Sequence, residues 1–336
     1  MVVKTTKNSS PAAVDSVDPD RWWDEFGALQ DRIRPRFARY EPARHAGGLM
    51  HGLLSGLDRK NCWTIAEYRG DANPDALQHL LSRARWDQDG VRDDLRGYVL
   101  EAFNDPAGIL VVDETGDLKK GTRTVGVQRQ YTGTAGRIEN AQVAVYLTYA
   151  AARGHALIDR ALYPPRSWVD DPASCAAAGT PADVEFATKP ALALRMIGAA
   201  LDAGVGASWV TGDEVYGNDP ALRAGLRDRR VGYVLAVSCD HRIPTNCGPV
   251  RADSAARGLP PVWWQRLSAG AGSKGQRMYS WAYLSLPSDG TDEQWILMRR
   301  NDSVACQRDG TTVLPRAWDH LGVWLIMAVI GRSGQP

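Results

Sequence analysis

Two aspartates in this chain lie in matching contexts and could together bind metal ions. Asp113 ends the short apolar run Ile109–Val112, and Asp213 ends a second apolar run within residues 207–217. Short β-branched runs closely bounded by Gly and Asp are typical of buried strands. Hard carboxylate oxygens on rigid backbone suit divalent cations, and two such cations about 4 Å apart can catalyse phosphoryl transfer. The pair predicts a divalent-metal site in which Asp113 and Asp213 are catalytic residues and metal ligands.

A basic segment follows the first of these aspartates. Between residues 117 and 168, eight basic residues face three acidic ones, a local charge of +5 in a chain whose net charge is only +1. The basic residues are Lys119, Lys120, Arg123, Arg129, Arg137, Arg153, Arg160 and Arg166. A basic surface beside an acidic metal site suits a polyanionic substrate. A solvated surface in an Arg-rich chain is the alternative.

Composition narrows the class of protein. With 336 residues, 44% hydrophobic and 24% charged, the chain is typical of a globular protein of two or three domains. No apolar run reaches the ~18 residues of a membrane span, and the N-terminus lacks the apolar region of a signal peptide. Five scattered cysteines argue against a disulfide framework. We expect a cytoplasmic protein without membrane contact.

The elements before the first aspartate are predicted to be helical. Asp20 is expected to cap a helix in which Trp22, Phe26 and Leu29 recur at helical spacing. Residues 75–86 and 89–103 carry further apolar stripes. The charges of this region balance, so a DNA-binding module and a plain scaffold both remain open.

Alternating strands and helices are predicted around the two aspartates. After the strand that ends at Asp113 come three further candidate strands, a helix, the strand that ends at Asp213, a short helix and a last buried strand. The later elements are predicted at residues 124–131, 141–149, 155–163, 181–203, 222–230 and 231–237. The core order β, β, β, helix, β, helix, β, with acids ending the first and fourth core strands, is that of a ribonuclease H-like core.

The whole chain is accordingly predicted to be α/β, with an N-terminal helical domain followed by a ribonuclease H-like core with a β-rich insertion. The expected parts are a disordered tail at 1–18, a helical domain at 19–104, the core at 105–238, the insertion at 239–300 and a divergent or truncated C-terminus at 301–336.

Five longer strings in this order resemble the DDE transposases of bacterial insertion sequences, the DDE-superfamily endonuclease type. The resemblance extends from Trp22 to Arg300, and the strings occupy residues 53–67, 77–86, 111–121, 128–140 and 209–217. It implies an insertion-sequence transposase that cleaves and transfers strands of double-stranded DNA at the element ends and the target. Members of this family use Mg²⁺ or Mn²⁺ and act in paired assemblies, so a homodimer is expected.

The resemblance also implies roles for individual residues. Asp113 and Asp213 take the places of two metal-binding catalytic acids. Phosphate contacts with the DNA fall to a set of basic residues: Lys119, Lys120, Arg123, Arg129 and Arg137. Glu114 and Glu214 directly follow the aspartates, so on a strand they would point to the opposite face and play a structural part.

One departure from the family pattern concerns its third acid, a glutamate on a late helix. Glu293 is the only glutamate after Glu214, and its neighbours place it at a strand start together with Asp292, while Asp319 lies in an apolar segment. We expect a truncated or frame-shifted copy whose catalysis is impaired. The alternative is a non-catalytic DNA-binding transposase remnant.

Overall fold

The computed structural model describes residues 18–181, 184–272, 275–287, 292–300 and 326–333. The chain divides into two compact units, one up to Ala102 and the other from Phe103 onwards. Residues 1–17 of the expected disordered tail lie outside the described residues, and so does Asp319. No helix in the described ranges is long and apolar enough to cross a membrane.

The first unit consists of helices packed around two small apolar clusters. One cluster centres on Ile33, Phe37 and Leu80, and the other on Ile65 and Leu77. The helices are α1 (Pro19–Ile33), α2 (Tyr40–Leu54), α3 (Cys62–Arg69), α4 (Asp75–Ser82) and α5 (Gln88–Phe103), with a 3-10 turn at Arg34–Arg36 after α1.

Two helix boundaries in this unit differ from the sequence prediction. Asp18 rather than Asp20 caps α1: its carboxylate accepts the Asp20 amide at 3.0 Å, and Pro19 takes the first helical position. Helix α4 ends at Ser82, before Trp86, because Trp86 turns to stack on Phe37 with ring centroids 5.5 Å apart.

The second unit is built on one mixed sheet. Its strands are β1 (Ile109–Leu118), β2 (Gln128–Thr132), β3 (Arg137–Ala151), β4 (Gly154–Tyr163), β5 (Trp209–Gly212), β6 (Gly232–Val237), β9 (Gln265–Gly272), β10 (Gly275–Ser285), β11 (Asp292–Arg300) and β12 (Ile326–Ser333). Their order is β2-β3-β1-β5-β6-β12-β11-β10-β9, and β4 also pairs with β3. Strand β1 is antiparallel to β3 and parallel to β5, which in turn is parallel to β6.

Helices cross between the central strands. They are α6 (Arg166–Val169), α7 (Pro172–Ala177) and α8 (Lys189–Asp202) between β4 and β5, then α9 (Glu214–Gly217) and α10 (Pro220–Asp228) between β5 and β6. A two-stranded ribbon of β7 (Arg242–Ile243) and β8 (Val250–Arg251), followed by α11 (Ala252–Gly258) and a 3-10 turn at Pro261–Trp263, leads to β9. The core lies where α8 packs on β3 and β4, since Leu147, Tyr149 and Ile197 are fully buried there.

The sheet and helix α8 differ from the sequence prediction in where two of their elements begin or end. Strand β1 continues five residues past Asp113 to Leu118, because β3 pairs with every residue of it. The apolar run Ile109–Val112 predicted only the first part of this strand. All four candidate strands before the helices form, and Asp213 directly follows β5. The helix predicted at 181–203 begins only at Lys189, where the Thr188 hydroxyl caps it.

The last third of the chain extends the same sheet. Strands β9 to β11 are joined to the central strands through β12, which pairs with both β6 and β11. Part of the segment expected to be divergent or truncated, Ile326–Ser333, is therefore a sheet strand. The rest of that segment lies outside the described residues.

Candidate active site

The register between β1 and β5 brings the two aspartates together. Leu110 pairs with Val210 and Val111 with Thr211. Strand β5 ends at Gly212, and continuing this register by two residues sets Asp213, directly after the strand, level with Asp113 on β1. Neighbouring strands lie about 4.8 Å apart, so both carboxylates can reach one small cation or a pair of cations. Residues that are distant in sequence thus meet on adjacent strands at the centre of the sheet.

Each aspartate is oriented by a backbone hydrogen bond. Asp213 is the N-cap of α9, and its Oδ1 accepts the Val215 amide at 2.9 Å. Asp113 Oδ1 accepts the amide of Glu114 at 2.8 Å. Both residues are exposed, and within the described ranges the second carboxylate oxygen of neither one accepts a hydrogen bond. Each side chain can therefore offer an oxygen to a ligand.

Negative charge accumulates around Asp213. Partial burial of its carboxyl raises the pKa of Asp213, and the charges of Glu114, Asp113 and Glu214 raise it further, against the Val215 hydrogen bond that lowers it. Carboxylates that disfavour each other's ionised form are stabilised when a cation binds between them. The electrostatics of this site favour a bound cation.

Behind the aspartates, Glu114 is held in a cluster with Lys189 and Tyr216, here called the Glu114 cluster. Glu114 Oε1 accepts from Lys189 Nζ at 2.6 Å and its Oε2 from the Tyr216 hydroxyl at 2.7 Å. The Glu114 and Lys189 side chains are each only 19% exposed, and Tyr216 is fully buried. Burial raises the pKa of Tyr216 strongly, with a further contribution from its hydrogen bond to Glu114.

This cluster joins the elements that carry the aspartates. Glu114 follows Asp113 on β1, Lys189 is the first residue of α8, and Tyr216 lies one helical turn after Asp213 in α9. The prediction that Glu114 has a structural position rests on strand alternation and agrees with its contacts. Glu214 is different, because it begins α9 and does not lie on a strand.

Close backbone packing fixes α9 against the sheet. A Cβ on Gly217 would lie 1.7 Å from the carbonyl oxygen of Ala236 in β6, and a Cβ on Gly212 would lie 2.8 Å from Val112 Cγ1. Only glycine fits at such separations. The partly buried Arg223 guanidinium donates to the Gly217 carbonyl, and desolvation lowers the pKa of Arg223.

The five predicted DNA-contacting residues fall into two groups. Lys119 pairs with Asp117 at 2.5 Å, and Arg137 pairs with Glu139 at 2.8 Å. The other three, Lys120, Arg123 and Arg129, are exposed and form no ion pair with any described residue. The loop after β1 is tied down by Asn140, whose side-chain amide donates to the Lys119 carbonyl at 2.7 Å and the Gly121 carbonyl at 2.9 Å.

No described residues form a ready-made group of three or more metal ligands. Glu114 is bound to Lys189 and Tyr216 and is not free to act as the third acid. Asp292 and Glu293 begin β11, four strands from β1 and hence roughly 19 Å away across the sheet. The two carboxylates of Asp113 and Asp213 fit a divalent cation by their oxygen donors and charge.

Sequence reasoning missed Lys189 and Tyr216. Tyr216 carried a usable signal, because it lies three residues after Asp213 and a single helical turn would bring the two together. Lys189 carried none, since its approach to Glu114 depends on how α8 crosses the sheet.

Comparisons with known proteins place this geometry in context. A family model described as DDE superfamily endonuclease matches residues 32–281. The probable transposase for insertion sequence element IS701 of Microchaete diplosiphon is 29% identical over 223 residues, which cover 66% of this chain and 54% of that protein. The chain thus spans about half the length of this curated relative. The crystal structure of the NurA nuclease from Sulfolobus solfataricus aligns over 70% of each chain at 9% identity, with a TM-score of 0.28.

Proposed function

The chain belongs to the DDE superfamily endonucleases, and on that premise we propose that it is an insertion-sequence transposase. Its reaction is metal-dependent cleavage of double-stranded DNA at the element ends and transfer of the cut strand to target DNA. The observation that carries the proposal is the alignment of Asp113 with Asp213 on adjacent parallel strands. The similarity to the IS701 transposase supports the choice of this activity within the family.

In this proposal Asp113 and Asp213 hold Mg²⁺ or Mn²⁺. When bound, the ions supply activation of the attacking water or 3′-hydroxyl and stabilisation of the departing 3′-oxygen during in-line attack on a phosphodiester. The protein's own part is to orient the two carboxylates through the Val215 and Glu114 amides and to anchor β1, α8 and α9 to one another through the Glu114 cluster.

DNA is bound in this proposal by the basic residues beyond β1. Strand β1 continues from Asp113 toward Lys119, a separation of roughly 20 Å along the strand. Duplex DNA advances 3.4 Å per base pair, so this span corresponds to about six base pairs. Lys120, Arg123 and Arg129 contact phosphates on this side and fix the register of the duplex without reading its sequence. One copy of the protein on each element end, as a homodimer, belongs to the same proposal.

We also infer a ribonuclease H-like core. The path β4-β3-β1-β5-β6, antiparallel in its first half and parallel in its second, supports this assignment. Helices α8 and α10 make the crossovers before and after β5. The helices at residues 19–103 then form a separate N-terminal helical domain, and strands β9 to β11 form an insertion that extends the sheet.

A second candidate function is a DNA-binding remnant that does not cut. It is favoured by one observation: the described residues supply two acids of the site and no third. Losing one ligand of a two-metal site lowers the rate by orders of magnitude while leaving phosphate contacts intact.

Two assays distinguish the transposase from the non-catalytic remnant. One measures plasmid nicking in Mg²⁺ or Mn²⁺, and the other measures Mn²⁺ binding by calorimetry. The wild type should nick DNA and bind Mn²⁺, whereas Asp113→Asn and Asp213→Asn should do neither. Asp117→Asn is the matched control, since Asp117 lies on the same strand but pairs with Lys119. If the wild type binds DNA but does not nick it, the result favours the non-catalytic remnant. Undiminished nicking by Asp113→Asn refutes the site.

A further inference from the structure

The β2–β3 hairpin carries an exposed apolar pair that the proposed chemistry does not use. We propose that Tyr131 and Ile138 form a wedge that inserts against the bases of the bound DNA and stabilises an unstacked or mismatched step. This inference rests on the proposed function, because it requires DNA as the partner. It adds a base contact to a surface otherwise assigned only phosphate contacts.

Both side chains of the pair are exposed. Tyr131 is 65% exposed and Ile138 is 58% exposed. They are direct cross-strand partners in the antiparallel pairing of β2 with β3, so their Cβ atoms lie about 5 Å apart. Together they form an apolar projection from a polar hairpin, larger than the single exposed apolar side chains that are normal on a protein surface.

The projection lies on the face of the sheet that carries Asp113. Asp113 pairs with Tyr146 of β3, and Ile138 lies eight residues before Tyr146 on the same strand. An even separation puts both side chains on one face. The distance along β3 is roughly 27 Å, which corresponds to about eight base pairs of duplex at 3.4 Å each. One duplex can therefore reach both Asp113 and the hairpin.

The positive charge of Arg129 on this face is complementary to the phosphates of DNA. Arg129 lies two residues before Tyr131 on β2 and is exposed, with no ion pair to any residue that the structure describes. Arg137 and Glu139 alternate to the opposite face, where they neutralise each other. The Asp113 side of the hairpin thus combines an unneutralised guanidinium with an apolar pair. Phosphates next to base faces offer the complementary chemistry.

The hairpin is supported from behind, as a wedge requires. The Trp168 indole donates to the Val127 carbonyl at 2.7 Å, and the Gln130 side chain donates to the Ala141 carbonyl at 2.8 Å. Thr132 is buried against Gly116, where a Cβ would lie 2.1 Å from the Thr132 hydroxyl. These contacts hold β2 in place without covering Tyr131 or Ile138, so little ordering is needed on binding.

Apolar side chains that enter a base step unstack it at an energetic cost, and that cost is lower where the step is already mismatched. Wild-type protein should therefore bind a duplex containing two adjacent mismatches more tightly than the matched duplex. Stacking on one aromatic side chain corresponds to roughly 5- to 150-fold in affinity. Tyr131→Ala should lose a factor of this size on the mismatched duplex, and Ile138→Ala a smaller one.

The test measures binding of the full chain to both synthetic duplexes over a range of salt concentrations. Tyr131→Ala should abolish the preference for mismatched DNA without changing the salt slope. Arg129→Gln should weaken binding to both duplexes and reduce the salt slope by about one phosphate contact. Tyr283→Ala is the matched control, because Tyr283 is 63% exposed on the distant strand β10. Thermal unfolding of each variant verifies that the fold is retained.

The outcomes separate the two levels of the proposal. If the wild type binds neither duplex, the proposed function fails and the wedge with it. If the wild type binds DNA and Tyr131→Ala keeps the preference for mismatches, only the wedge is refuted. A Tyr131→Ala variant that leaves DNA binding unchanged but shifts the oligomeric state on size-exclusion chromatography also overturns it, in favour of a protein contact.

Discussion

Replacement of Tyr216 by Phe probes how firmly the Glu114 cluster anchors the elements that carry Asp113 and Asp213. The substitution keeps the fully buried ring and removes the hydroxyl that donates to Glu114 at 2.7 Å. A hydrogen bond to a charged group contributes about 1.5–3 kcal/mol. Because Lys189 still neutralises Glu114 at 2.6 Å, we expect a loss near the lower end, about 1.5–2 kcal/mol.

Replacement of Lys189 by Met should cost more than the loss of the hydroxyl. It leaves the carboxylate of Glu114 with Tyr216 as its remaining partner in the cluster. Breaking a fully buried ion pair from one side costs about 3–5 kcal/mol. The Glu114 and Lys189 side chains are each 19% exposed, so water compensates in part and we expect about 2–3 kcal/mol.

Urea and thermal unfolding measure both losses. In a unit of this size each kcal/mol lowers the unfolding midpoint by about 2–4 °C. The matched control is Tyr233→Phe, since Tyr233 is also fully buried but its hydroxyl accepts a longer hydrogen bond, 3.2 Å, from Arg227. A Tyr216→Phe variant no less stable than Tyr233→Phe would refute the anchoring role of the cluster.

Two further predictions concern the β5–α9 junction. Because the folded pKa of Asp213 is raised above its ordinary value, the stability that this group contributes at low pH is lost as the pH rises through the raised value. Asp213→Asn, which retains the cap, should therefore unfold at a higher temperature than the wild type in metal-free buffer at neutral pH. The gain should vanish below pH ~3.9. Gly217→Ala should destabilise the protein by about 3 kcal/mol or more in urea titration, since its Cβ would overlap the Ala236 carbonyl; Gly258→Ala, with open space around its Cβ, should be close to neutral.

Much of the architecture could be predicted from local sequence. The apolar run at Ile109–Val112 and the run before Asp213 both form central strands, and the predicted strands at 141–149 and 155–163 lie within β3 and β4. Buried strands have a strong local signature, because their side chains must be apolar on at least one face. The strings around both aspartates also carried the family resemblance, which the match over residues 32–281 confirms.

Element boundaries were less predictable, and for identifiable reasons. Strand β1 continues through Glu114 to Leu118, where pairing with β3 outweighs the polar composition. The helix expected from 181 begins at Lys189, because Thr188 and Pro190 together provide a start signal that the apolar pattern alone does not contain.

By itself, the sequence determined which residues could do chemistry: two aspartates at the centre of a sheet and a run of basic residues beyond the first of them. Tertiary structure alone decided which of these residues lie close together. Strand register sets Asp113 beside Asp213, and alternation puts Arg129 and Tyr131 on the Asp113 face while Arg137 turns away to Glu139. The Glu114 cluster likewise exists only because α8 and α9 cross the same face of the sheet. Residue types follow from local constraints, whereas their proximity depends on pairing and packing between segments far apart in the chain.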